Sequence, residues 1–195
     1  MPDESQMRGT GTDASEILRR RAAELAQPAS IKDTDSQNEW GDVLVVRVGK
    51  DRLCIPTRFV REVAVLGRVL ALPGLPDFYA GVSSLHSHVY AVVDGARLFG
   101  LGRTINENAG EAPVQGVILQ GPDPESPETE FALVVDDVSG VVTVKAADVS
   151  AVPEGMTERL ERYGYAMVRA AGEYCLVLDM EKVLSDDALR VDGAQ

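Results

Sequence analysis

The sequence predicts an all-β protein, with one short helix ahead of the β region. From Trp40 onward, Val-rich apolar runs recur every 8 to 12 residues and are broken by Gly, Pro and Asp. The connections between them are of turn size, which favours barrels or a sandwich over helix-linked parallel strands. The predicted strands are Val43–Val48, Arg52–Ile55, Glu62–Leu66, Gly81–Leu85, Val89–Val93, Val114–Gln120, Phe131–Val135, Val141–Val144, Tyr165–Arg169 and Cys175–Leu178.

Residues 1–38 differ in composition from the rest and are predicted to form an N-terminal extension ahead of a main domain at 39–195. Asp13 and Glu16 have the spacing of a capping box. An apolar stripe at helical spacing follows and ends before Pro28, which predicts one short helix and then a polar linker. A helix of this length is marginal alone in water, so it either frays or packs on the main domain or a partner. The stripe consists of Ala14, Leu18, Ala22 and Leu25.

The 195-residue chain has a formal net charge of −12, which disfavours binding to a phosphate backbone or an anionic lipid surface. Its 45% hydrophobic and 26% charged residues are globular proportions. No stretch approaches the roughly 20 apolar residues of a transmembrane helix, and the first residues lack the apolar core of a signal peptide. The sequence therefore predicts a cytoplasmic protein, without nucleic-acid binding or direct membrane insertion.

The two cysteines are predicted to be buried and reduced. Cys54 and Cys175 each lie within an apolar run, where small hydrophobic thiols are common. Two cysteines are also too few for the disulfide framework of a small secreted protein.

The chain repeats itself weakly, which predicts two related units, and we expect these to be small barrels. In Leu53–Val63 and Phe131–Val141, an apolar strand leads through a polar turn into two valines three residues apart. In Val92–Phe99 and Val177–Leu184, a strand ends at an Asp that can cap a short helix. Residues 120–130, rich in proline and acidic side chains, are expected to form an exposed loop.

Six segments, taken in order, resemble the CheW family, and the resemblance covers residues 39–191. The most diagnostic of them contains Leu-Pro-Gly-x-Pro followed by Gly-Val, and a strand ending in Val-Asp comes next. No single segment is specific, but their order and spacing are. The segments are Val43–Gly49, Ile55–Val63, Leu72–Val82, Val89–Leu101, Leu133–Val144 and Val177–Leu184.

The resemblance implies two five-stranded SH3-like barrels packed on a shared hydrophobic core, with no active site and no cofactor. Family members bind the regulatory domain of a CheA-type histidine kinase, and they bind the cytoplasmic hairpin tip of a chemoreceptor in a groove between the barrels. Other CheW-like domains are further implied partners. The chain is therefore expected to couple chemoreceptor-type sensors to a CheA-type histidine kinase by assembly, and receptor arrays would hold it near the membrane.

The resemblance also indicates a protein-binding surface. Small apolar patches with polar rims suit that role, because a few residues dominate the affinity of an interface. Glu62, which lies between two valines of a β-run, is expected on the solvent face. The alternative for each valine is a core position, and the alternative for Gly81 is a turn that needs a positive φ. The candidate protein-binding residues are Val60, Glu62, Val63, Gly81, Leu85, His86, Ser87, Val138 and Val141.

The stretch Ser84-Leu85-His86-Ser87 departs from the family, which usually reads Asn-Leu-Arg-Gly there. Arginine is permanently charged, whereas histidine, with an ordinary pKa of about 6.5, is mostly neutral at pH 7. Ser87 in place of glycine also loses free access to positive φ. The protein uses either the common receptor and kinase surfaces or a divergent, dedicated set, and these changes favour a specialised paralogue.

Metal and catalytic sites are not favoured by the sequence. His86 and His88 would face the same side of a strand, as two zinc ligands can, but the chain has 2 histidines and only Asp94 could add a ligand. Neither cysteine has the surroundings of a reactive thiolate. The alternative function is that of an SH3-like-barrel interaction or regulatory protein in a non-chemotaxis pathway, such as surface motility or second-messenger control.

Overall fold

The structure is a computed structural model that describes residues 39–102, 113–121, 130–170 and 172–189. Contacts divide the chain into two units, Met1–Gln37 and Asn38–Gln195, and the described residues belong to the second. The helix predicted after Asp13 and most of the loop predicted at 120–130 lie outside the described ranges. The division of the chain at residue 38 therefore stays a prediction.

The described residues form eleven strands and three short helices, with three single 3-10 turns at Thr57–Phe59, Ala146–Asp148 and Asp187–Leu189. The helices are α1 (Gly95–Leu98), α2 (Glu158–Tyr163) and α3 (Met180–Leu184). The strands are β1 (Glu39–Val48), β2 (Asp51–Pro56), β3 (Val60–Leu66), β4 (Tyr79–Leu85), β5 (His88–Asp94), β6 (Val114–Leu119), β7 (Phe131–Val134), β8 (Asp137–Lys145), β9 (Val149–Ser150), β10 (Gly164–Ala170) and β11 (Glu173–Leu178).

The strands form two sheets, and this confirms the all-β class. One sheet has six strands in the order β8-β1-β2-β11-β10-β9, and the other has five in the order β3-β6-β7-β5-β4. Neighbouring strands are antiparallel except for the parallel pairs β2–β11 and β5–β7. The five-stranded sheet comes from the middle of the described chain, and the six-stranded sheet joins strands from both of its ends.

Each of the ten predicted strands overlaps an observed one, and the differences are local. β9 is the additional strand of the six-stranded sheet, and its 2 residues are too few to show a periodic pattern. β8 begins at Asp137, four residues before the predicted strand, because pairing with β1 overrides the turn preference of its polar start. The helix α2 was not predicted, since only Leu160 and Tyr163 of its 6 residues are buried.

The weak internal repeat has a structural counterpart in the way the sheets exchange strands. β2 leads through the turn at Thr57–Phe59 into β3 of the other sheet, and β7 leads likewise into β8 of the first sheet. The second pair of segments matches as well, because Asp94 caps α1 and Asp179 caps α3 through their side chains. The two related units are therefore interleaved along the chain and do not follow one another.

Three clusters of buried side chains form the core. The largest lies between the sheets and takes side chains from both, which confirms the predicted shared core. Each sheet also encloses a cluster of its own. Successive residues of a strand alternate between the shared core and the cluster inside their own sheet. In β1, Val46 faces the shared core and Val45 faces the interior of the six-stranded sheet.

Cys54 and Cys175 are buried free cysteines, as predicted, and they lie together inside the six-stranded sheet. They come from the parallel neighbours β2 and β11. Burial raises the pKa of both thiols, and the neighbouring Cys175 adds to this effect at Cys54. The thiolate forms are therefore disfavoured, and both residues act as small hydrophobic side chains.

Candidate protein-interaction surface

The nine candidate residues fall into two groups. Seven lie on the five-stranded sheet, in β3 and around the hairpin between β4 and β5, and the other two lie on β8 of the six-stranded sheet. β3 and β8 are edge strands, one at an end of each sheet. Val60 of β3 and Val138 of β8 both pack against the shared core, so the two groups border the same cluster.

A β-bulge in β3 directs both of its candidate valines toward the same face. Val60 lies opposite Leu119 and Val63 lies opposite Val117, and both of these partners belong to the shared core. Residues three apart in a regular strand face opposite sides, so the bulge at Arg61 is what brings the two valines together. Val60 is half-buried, in agreement with the alternative that it occupies a core position, whereas Val63 is 40% exposed.

A second bulge has the same effect in β8. Val138 pairs with Val46 and Val141 pairs with Leu44, which both face the shared core, and a register shift separates the two pairs. Val138 is half-buried against that core, and Val141 is 60% exposed. We refer to Val60, Val63, Val138 and Val141 as the four-valine patch.

Glu62 does not lie on the solvent face, so that expectation is wrong. After the bulge it lies opposite Ile118, which is buried inside the five-stranded sheet. The extra residue of a bulge reverses the alternation of the strand, and the direction of Glu62 could not be read from its two valine neighbours. Its side chain is 33% exposed as a result.

The carboxylate of Glu62 contacts the hairpin that joins β4 and β5, with 3.3 Å between Glu62 Oε2 and His86 Nε2. The contact is an ion pair when the imidazole carries two protons, and a hydrogen bond when Nε2 carries the only one. Because the His86 side chain is 74% exposed, we expect the pair to contribute less than about 1 kcal/mol to stability. Its main effect is to hold two candidate binding residues, Glu62 and His86, together.

The hairpin turn itself is built on positive backbone angles. His86 has φ 49° and Ser87 has φ 65°, the conformation that a two-residue type I′ turn requires at both central positions. Non-glycine residues adopt it at a cost, which the family's glycine would avoid at the second position. Leu85, just before the turn, packs against the cluster inside the five-stranded sheet.

Ser87→Gly is therefore expected to stabilise the protein by about 0.5 to 1 kcal/mol, because glycine adopts this φ without steric strain. The midpoint of urea unfolding measures the gain. Ser84→Gly serves as the matched control, since Ser84 is an exposed residue within β4 of the same hairpin, and it should destabilise by a similar amount. Equal effects of the two substitutions would argue against strain at Ser87.

Gly81 has a structural role of its own. It is a buried residue with φ 139° at a bulge in β4, and a Cβ atom there would lie 2.1 Å from the carbonyl oxygen of Leu70. The Leu70 segment is held in place by two backbone hydrogen bonds with Val82, of 2.8 and 2.9 Å. A need for glycine at this position therefore follows from backbone geometry, and a role in binding stays a prediction.

Several exposed apolar residues of the five-stranded sheet and its loops are not among the residues predicted from the sequence. Val65 continues the exposed face of Val63, Val89 follows the hairpin, and Leu70 and Leu72 lie in the segment between β3 and β4. The alternation of Val63 and Val65 was the available signal, but it equally fits a half-buried strand. These residues enlarge the apolar surface next to the candidate residues of β3 and β4.

No group of three or more potential metal ligands occurs within the described residues. His86 lies in the turn and not on a strand with His88, whose ring packs on Tyr90 with 4.7 Å between centroids. Within the same ranges, no helix has the length and apolar character to span a membrane.

Comparisons with known proteins agree with one another. The family model for the CheW-like domain matches residues 42–188. The chain is 23% identical over 163 residues to the chemotaxis protein CheW of Treponema pallidum (strain Nichols), covering 84% of this chain and 90% of that protein. It is 22% identical over 150 residues to the chemotaxis protein CheW of Rhizobium meliloti (strain 1021), covering 77% and 91%. Its fold is similar to the scaffolding protein TtCheW from Thermoanaerobacter tengcongensis, with a TM-score of 0.60, 14% identity and coverage of 77% and 96%.

Proposed function

The chain belongs to the CheW-like domain family, and we propose that it couples a chemoreceptor-type sensor to a CheA-type histidine kinase. The fold is the pair of SH3-like barrels of the CheW scaffold, and the family is one of non-catalytic chemotaxis scaffold proteins. A scaffold works through the affinity of its surfaces for partners.

The observation that carries the proposal is the four-valine patch. Each sheet contributes one edge strand, and in each strand a bulge turns a Val-x-x-Val pair toward the shared core. One valine of each pair packs on that core, and the other remains exposed at 40% and 60%. Two independent strands thus border the same core with solvent-exposed apolar side chains.

The surroundings of the patch fit a binding site for the tip of a receptor hairpin. Burial of the two exposed valines would supply the apolar contact area of such a site. The remaining candidates of the β4–β5 hairpin lie on the same sheet as Val63, where they could contact the kinase regulatory domain. The scaffold would work in the cytoplasm, and receptor arrays would bring it to the membrane.

Val63→Lys and Val141→Lys are expected to weaken binding to the receptor tip at least tenfold each, because an ammonium group cannot be buried in an apolar contact without a partner. Calorimetry with the purified full chain and a receptor hairpin fragment from the same organism measures the effect. A second titration with the regulatory domain of the kinase separates the two partners. Both valines are exposed, so the thermal midpoint should shift by no more than a few degrees.

The matched control is Tyr174→Lys, which introduces the same charge at an exposed apolar position of β11, away from the patch. Unchanged affinity in Tyr174→Lys and reduced affinity in the two valine variants would support the patch. Equal affinity for the receptor fragment in all three variants would refute it.

The alternative of a regulatory protein in a non-chemotaxis pathway is favoured by one observation, the altered hairpin tip. His86 and Ser87 replace the family's Arg-Gly, and the turn keeps the positive φ angles that glycine would adopt more easily. A pull-down of the full chain from lysate of its own organism distinguishes the two functions. Recovery of a CheA-type kinase with a receptor supports the adaptor, and recovery of neither together with another regulator supports the alternative.

A further inference from the structure

A cleft of about 570 Å³ opens at one end of the six-stranded sheet. The parallel strands β2 and β11 end there, at Pro56 and Leu178, so the carboxyl ends of two neighbouring strands meet at the same edge. The start of β1 and the beginning of α3 complete its walls. None of the nine candidate binding residues lines the cleft, which is therefore distinct from the surface proposed above.

Two aromatic rings form one wall. Trp40 and Tyr165 lie with 6.0 Å between ring centroids and an angle of 33° between ring planes. Tyr165 is 61% exposed although it is a large aromatic side chain on a strand. An aromatic face carries partial negative charge and attracts ammonium and guanidinium groups, with Trp and Tyr among the strongest partners.

The charged residues of the cleft favour the same class of ligand. Asp42 and Glu181 line it, and neither forms a salt bridge within the described ranges. A third carboxylate, that of Asp179, pairs with Lys182 at 3.1 Å. The guanidinium of Arg58 lies 4.7 Å from the centroid of the Phe59 ring, where it already has an aromatic partner. Asp42 Oδ1 accepts a hydrogen bond from the Thr143 hydroxyl at 2.6 Å. The Asp42 and Glu181 carboxylates thus face the cleft without a salt-bridge partner among the described residues, in a chain whose net charge is −12.

We propose that this cleft binds a basic side chain, arginine or lysine, from a partner polypeptide. Its volume lies within the range of about 300 to 1,000 Å³ that is typical of ligand pockets, which is ample for such a side chain with its flanking backbone. The cation would lie against the aromatic wall, with the carboxylates of Asp42 and Glu181 as counter-ions. Both carboxylates would repel an acidic segment.

The chain itself supplies a fluorescent probe for a test, because its single tryptophan, Trp40, lines the cleft. Tryptophan fluorescence of the full chain is followed during titration with the blocked tripeptides Arg-Arg-Arg, Lys-Lys-Lys and Glu-Glu-Glu. We expect a saturable change with the two basic peptides and none with the acidic one. The affinity should fall as salt is raised, since a charge interaction contributes to it.

Substitutions separate the cleft from the general acidity of the protein. Tyr165→Ala and Glu181→Gln are each expected to weaken binding by at least about threefold. Tyr174→Ala and Glu154→Gln are the matched controls, since both residues are exposed and lie outside the cleft, and they should leave the affinity unchanged.

Loss of affinity in the cleft variants alone would support the proposal. Equal affinity in the cleft and control variants would overturn it, because binding would then reflect the overall charge. The absence of a saturable change would overturn it as well. Tryptophan fluorescence that changes with protein concentration in the absence of peptide would indicate that a second copy of the chain occupies the cleft. That result would also overturn the proposal of a separate partner polypeptide.

Discussion

Gly81→Ala is expected to lower the free energy of unfolding by about 3 kcal/mol or more. Two costs combine at this position: alanine is strained at φ 139°, and its Cβ would lie 2.1 Å from the carbonyl oxygen of Leu70. That oxygen belongs to backbone held by hydrogen bonds of 2.8 and 2.9 Å to Val82, so it cannot move aside without breaking the contact. Urea unfolding of the purified variant measures the loss.

The chain offers controls that separate the two costs. Gly41 also lies at a bulge and has φ 147°, but a Cβ there would meet nothing within 4 Å, so Gly41→Ala carries the strain without the clash. We expect it to cost about 1 to 2 kcal/mol. Gly67 has neither a positive φ nor a near neighbour, and Gly67→Ala should be close to neutral. If Gly81→Ala cost no more than Gly41→Ala, the approach of Leu70 would not be the reason for glycine.

Asp186→Ala is expected to lower the free energy of unfolding by a similar amount, about 3 kcal/mol. The carboxylate is buried after α3, where it accepts hydrogen bonds from the Tyr163 hydroxyl and from the amide of Ala188 at 3.0 Å. It also pairs with Arg162 at 3.0 Å. Its removal would leave the buried hydroxyl of Tyr163 without a partner and would detach the end of the described chain from α2.

Asp187→Ala is the matched control for this substitution, because the neighbouring carboxylate is exposed, and its loss should cost less than about 0.5 kcal/mol. Tyr163→Phe should fall between the two, since it removes one hydrogen bond and leaves Asp186 with its other partners. A loss in Asp186→Ala that is no greater than in Asp187→Ala would mean that the network contributes nothing.

The same network predicts how stability changes with pH. Burial and the Asp186 carboxylate raise the pKa of Tyr163 to about 12, so the neutral hydroxyl stabilises the fold fully below about pH 10 and the contribution is lost as pH rises toward 12. Burial alone would raise the pKa of Asp186, but hydrogen bonds from Tyr163 and Ala188 and the charge of Arg162 lower it. Its carboxylate therefore stabilises the fold above its ordinary pKa of about 3.9, and this is lost as pH falls below that value.

Unfolding profiles of the parent chain, Tyr163→Phe and Asp186→Asn from acid to alkali test these signs. Tyr163→Phe should show a shallower decline in stability between about pH 10 and 12, and Asp186→Asn a shallower decline in acid. Profiles parallel to that of the parent would show that neither group is linked to folding.

The alternation of apolar and polar residues, together with the Gly, Pro and Asp residues between the runs, determined the fold class, the position of ten strands and the caps at Asp94 and Asp179. These features are local: a strand needs side chains of period two, and a cap needs one carboxylate near the amides that follow it. The order of six segments along the chain indicated the CheW family. The two Val-x-x-Val pairs were also visible, because a repeated spacing can be recognised without knowing where its residues point.

Only the tertiary structure decided which way those residues point. A single bulge reverses the alternation of a strand, and it therefore turned Glu62 inward and brought Val60 and Val63 to one face, as a second bulge did in β8. The Glu62–His86 contact and the cleft beside Trp40 join segments that are distant in sequence. The approach of Leu70 to Gly81 depends on the backbone pairing of Leu70 with Val82. Such pairings depend on how the strands are arranged within and between the sheets, a global arrangement that no local pattern of side chains specifies.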